Sequence, residues 1–82
     1  MHALDPIPVS PGTLARWRDV ALGFGKLGEV LIVELADFAN DPVRHRLRRV
    51  ADAVRDVVAS QHGSRKAVAE ALATEFAMLA ES

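Results

Sequence analysis

Three sets of residues in this 82-residue chain have types and spacings that could do chemistry. Gly23-x-Gly25-x-x-Gly28 has the spacing of a dinucleotide fingerprint. There, glycines permit a tight turn and bring backbone N–H groups close to a pyrophosphate. His2, His45 and His62 are the only imidazoles, and imidazole is the commonest metal ligand. Glu34, Asp37 and Asp41 gather carboxylates that could serve as general acid and base.

Each set lacks the context its chemistry needs. A dinucleotide site requires a strand before the glycines and a βαβ unit around them, whereas the residues before Gly23 recur with helical period. Extended to Val30, the glycines are similar to the phosphate loop of protein kinases. No lysine strand, catalytic Asp or metal-binding Asp follows to complete that pattern. No two histidines stand at i,i+4, and there is no cysteine to complete a zinc set. His62 beside Ser64 has no third group to orient a base. The expectation is therefore no catalytic residue, no cofactor and no bound metal, with the glycines marking a bend or a close helix contact.

The elements that would position any site read as helices. Ser10-Pro11 is a helix start, with Ser as N-cap and Pro in the first helical position. From there Leu14, Trp17, Val20, Phe24, Leu27, Leu31, Leu35 and Phe38 recur at spacings of three and four, as far as Asn40-Asp41-Pro42. One long helix over about 11–39 accounts for them, and the glycines leave room for a kink or break near Gly25–Gly28. Trp17, on this stripe, reads as core. Asp41 as cap and Pro42 as first residue begin a second helix to about 59, with a stripe of Val43, Leu47, Val50, Val54, Val57 and Val58. Ser64 caps a third over about 64–80, whose stripe is Val68, Leu72, Phe76 and Leu79. The expected fold is all-α. It is a small three-helix bundle (residues 10–82, a single domain) with a long, kink-prone first helix and an extended tail over 1–9, where Pro6 and Pro8 disfavour helix.

Composition narrows the class further. Half the residues are hydrophobic, rich for a chain whose core must be thin. No apolar run reaches the roughly 20 residues of a membrane span. Met1-His2-Ala3-Leu4-Asp5-Pro6 has neither the basic nor the apolar region of a signal peptide, so a cytoplasmic protein is expected. The net charge of −1 argues against a strongly basic nucleic-acid coat.

Charge is nevertheless uneven. Residues 44–66 hold seven of the ten Lys and Arg against two Asp, about +5, leaving the rest at about −6. Arg44, Arg48 and Arg55 share one flank of the second helix, and Arg65 and Lys66 open the third. Within it, Ser64-Arg65-x-x-Val68-x-x-Ala71-Leu72 resembles the recognition helix of a helix-turn-helix. The resemblance implies a small DNA-binding regulator contacting phosphates through Arg44, Arg48, Arg55, Arg65 and Lys66. The turn glycine is displaced by one residue, and no Asn or Gln on the third helix is available to read bases.

The leading expectation rests on Val30-Leu31-Ile32-Val33. Only Leu31 falls on the main stripe. Val30 and Ile32 lie about 100° to either side and Val33 nearly opposite. A helix apolar all round must be covered all round. This points to a non-enzymatic interaction module that self-associates, a dimer being the simplest form, or docks on a larger protein partner through Val30, Ile32 and Val33.

Overall fold

The computed structural model describes residues 7–81, and the expectations for residues 1–6, including His2, lie outside them. Three helical runs enclose one apolar core, and the first is long and in two pieces. Helix α1 spans Pro11–Ala21, a 3₁₀ turn spans Leu22–Phe24, and α2 spans Gly25–Asn40. Helix α3 spans Arg44–Ser60 and α4 spans Gly63–Glu81. There is no strand among the described residues.

Helix α1 begins as its sequence dictates. Ser10 is extended (φ −72°, ψ 152°), its Oγ accepts the Thr13 N–H at 3.2 Å, and Pro11 occupies the first turn. The bend falls at Gly25, with φ 68° and ψ −139°, a conformation open essentially to glycine alone. It is sharp enough to lay the two pieces side by side. Pro11 and Leu14 of α1 line the same groove as Ala39 and Ile32 of α2, and α2 therefore runs back along α1. Gly28 makes the reversal tight. It is buried, and a Cβ at this position would stand 2.0 Å from the Ala21 carbonyl oxygen.

Helix α2 stops at Asp41, whose backbone is extended ahead of Pro42 (φ −149°, ψ 82°). The next helix starts later than the sequence suggests. Asp41 is not its cap and Pro42 is not its first residue; Val43 stands at the N-cap, without a side-chain cap bond. The Val43 N–H bonds back to the Asp41 carbonyl at 2.8 Å, closing a tight turn that pulls Pro42 out of the helix. The Pro42 carbonyl accepts the Ile7 N–H at 2.7 Å. This bond holds residues 7–9 against the bundle, where half-buried Ile7 and Val9 join the core.

Gln61 and His62 connect α3 to α4. Ser64 is likewise not the cap. The fourth helix already includes Gly63, which takes φ 61° at the turn. Trp17, Leu31, Phe38, Leu47, Val50 and Phe76 lie at the centre, each at most 2% exposed. On α4 the expected stripe holds at Leu72, Phe76 and Leu79 and fails at its first position. Val68 is 47% exposed while Ala69 is fully buried against Phe24 and Val57. Ala69 gives no hydrophobic signal comparable to Val68, yet its small side chain is what fits beneath the α1–α2 reversal.

Candidate interaction surface

Helix α2 buries one face and leaves the other bare. Leu31, Leu35 and Phe38 point into the core. Val30 and Val33 stand 52% and 61% exposed on the outer side, and at i,i+3 they are surface neighbours. The other exposed large hydrophobics, Leu22, Val68 and Met78, include no second pair at helical-neighbour spacing. Ala36 and Ala39, both exposed, continue the same three-residue row toward the end of α2.

Ile32 has a different place from the two valines. It is half-buried and forms one wall of the groove between α1 and α2, with Leu35, Ala36 and Ala39 beside it and Leu14 and Ala15 opposite. The groove encloses about 380 Å³, with Arg18 its one charged wall residue. The three residues named from sequence thus divide between an open row and a groove that α1 partly closes. The contribution of Ala36, Ala39 and the α1 wall was missed because alanine carries little hydrophobic signal and because the reversal at Gly25 is invisible to a period count.

Charged residues frame the valine row. Lys26 lies one turn before Val30 and is exposed; Asp37 lies one turn after Val33 and is half-buried. Glu29 and Glu34 flank the row on opposite sides.

A second polar arrangement ties α1 to α4. Nη1 and Nη2 of the Arg16 guanidinium both donate to the Glu75 carboxylate, and the Trp17 Nε1–H donates to Glu75 Oε2 at 3.0 Å. Hydrogen bonding from Arg16 holds the Glu75 carboxyl below its ordinary value, partial burial opposes this, and the Trp17 bond adds to the lowering. The same contact holds the Arg16 guanidinium above its ordinary value. A groove of about 370 Å³ opens beside this cluster, with Pro8, Thr13 and Met78 among its walls. Because Trp17 packs its ring on Phe76 at 4.4 Å between centroids, the arrangement works as a clamp on the core.

The basic residues do not assemble as a helix-turn-helix. Arg44, at the start of α3, donates to the Ala80 carbonyl near the end of α4. With only Gln61 and His62 between them, α3 and α4 are an antiparallel hairpin paired along its whole length. A helix-turn-helix instead crosses its helices at about 90–120° so that the second can enter a groove. Arg48, Arg65 and Lys66 are exposed, and Arg55 stands 3.9 Å from Asp52.

The remaining chemical candidates are dispersed. Asp41 meets Arg46 at 3.4 Å, Glu34 and Asp37 lie on α2, and His45 and His62 are exposed on α3 and in the turn. Gly25 and Gly28 build the α1–α2 reversal described above, and Gly23 lies in the 3₁₀ turn between the two pieces. No protein family, no curated protein and no solved structure matches the chain.

Proposed function

We propose that the chain is a non-enzymatic interaction module that engages another protein surface through the outer face of α2. The observation that carries this reading is the pair Val30 and Val33, left more than half exposed at adjacent positions of a helix whose opposite face is already core. Two large apolar side chains in one row cost solvation free energy in the isolated chain, about 25 cal/mol for each Å² left in water. Covering them recovers that cost. The row stands on a helix fixed on its inner side by Leu31, Leu35 and Phe38. Little ordering entropy therefore remains to be lost on docking.

Amide chemical-shift mapping tests the reading. Raising the concentration of the chain, or adding a partner, should move the signals of Val30, Val33 and their row neighbours first. A titration in which duplex DNA at about 50 mM salt moves the signals of Arg48, Arg65 and Lys66, while those of α2 stay fixed, would replace it with nucleic-acid binding.

A further inference from the structure

We infer that the surface which covers α2 is α2 of a second copy of this chain, running antiparallel about a two-fold axis; the inference rests on the reading of α2 as the docking face. The argument is the symmetry of the outer row. Lys26, Val30, Val33 and Asp37 are spaced by four, three and four residues, so the row is symmetric about the midpoint between Leu31 and Ile32. On a helix these four fall within a stripe about 60° wide at 100° per residue. It is the four-three spacing that lets one helix lie along another.

Turning one copy end for end about that midpoint places Val30 on the mate's Val33, and Val33 on the mate's Val30. It also places Lys26 against the mate's Asp37 at one end and repeats the pair at the other. A parallel, in-register pairing of the same helices would set Lys26 on Lys26 and Asp37 on Asp37. The charges therefore select the antiparallel arrangement and reject the parallel one. The flanking acids do not oppose it. In this register Glu29 comes beside the mate's Ala36, and Glu34 beside the mate's Leu27.

Among the described residues nothing competes for the two end charges. Lys26 and Asp37 make no ion pair with another described residue. A two-fold contact uses one patch twice, so a single self-complementary row suffices to build it. Four residues a side is far fewer than the roughly 20–30 of a standard specific interface, so the contact is a weak one and association belongs to high protein concentration.

Charge exchange tests the pairing. Sedimentation equilibrium of the full chain, up to about 1 mM, should show a mass rising toward twice its 8.9 kDa. Lys26→Asp should weaken the dimer roughly 10-fold or more by setting acid on acid at both ends, and Asp37→Lys should do the same with two lysines. The double variant, Lys26→Asp with Asp37→Lys, should restore it, and an equimolar mixture of the two single variants should pair preferentially with each other. Circular dichroism should read the same helix content in all of them. A chain that stays monomeric throughout overturns the second-copy inference and leaves α2 as a face for a different protein. A dimer indifferent to all three charge variants, but lost in Val33→Glu, overturns the antiparallel register. A dimer indifferent to Val33→Glu as well overturns α2 as the docking face.

Discussion

The indole N–H of Trp17 donates to the carboxylate of Glu75 at 3.0 Å, across 58 residues of chain. Trp17 is 2% exposed, so its one polar atom needs an acceptor, and α4 supplies it at the surface edge of the core. Arg16 braces the same carboxylate from outside. Replacing Glu75 by Ala should leave the indole N–H without its partner and lower unfolding free energy by about 1–3 kcal/mol. Glu75→Gln keeps an acceptor within reach and should cost less. Urea denaturation of the two variants beside the parent checks the order.

The same carboxyl gives a pH dependence of known sign. Glu75 titrates lower in the folded chain than its ordinary value of 4.5, first because of Arg16. Between the two values the unfolded chain binds the extra proton, so stability rises with pH across that window. Its contribution is full above the ordinary carboxylate range and is lost as pH falls through the lowered value. Urea midpoints from pH 7 down to about pH 3 should fall, and Glu75→Gln should show a shallower fall.

Three glycine substitutions should separate by sign. Gly28→Ala forces a methyl onto the Ala21 carbonyl oxygen, 2.0 Å away, and should cost about 1–3 kcal/mol or prevent the α1–α2 reversal. Gly25→Ala has open space around it but a backbone at φ 68°, and should cost about 1–3 kcal/mol through strain alone. Gly23→Ala meets nothing within 4 Å at an ordinary φ and should be neutral or stabilising by up to about 1 kcal/mol. Thermal denaturation of the three variants reads the order directly.

Much of this fold was legible in the sequence. The four-three recurrence from Leu14 to Phe38 and from Leu47 to Val57 marks residues that are buried or half-buried, because burial of one helical face is what creates such a period. The Ser10-Pro11 start was legible because an N-cap is a local, two-residue device. Asp41-Pro42 has the same local form yet does not start α3. There the tail's bond from Ile7 to the Pro42 carbonyl and the tight turn at Val43 decide the boundary, and both depend on residues brought together by folding. The exchange of Val68 for Ala69 has a similar cause, since only the packed structure shows that Ala69 is the residue seated with Phe24 and Val57.

Of the candidate surface, Val30 and Val33 were legible because they break the stripe of their own helix. Ile32 breaks it equally, but α1 folds back to half-cover it. A kink or break near Gly25–Gly28 is legible in the glycines, while its place at Gly25 and the seating of Gly28 against Ala21 are seen only in the fold. The Arg16–Glu75–Trp17 clamp left no local signal, because its members are 58 and 59 residues apart.

The central claim is that the outer face of α2 is built for docking and contributes nothing to the core. Val33→Glu, followed by urea denaturation and by sedimentation equilibrium over the same concentration range, tests it most directly. The account predicts an unfolding free energy within about 0.5 kcal/mol of the parent, as for an exposed site, together with loss of the association that the parent shows. A variant that fails to fold, or one that folds and associates as strongly as the parent, would contradict it.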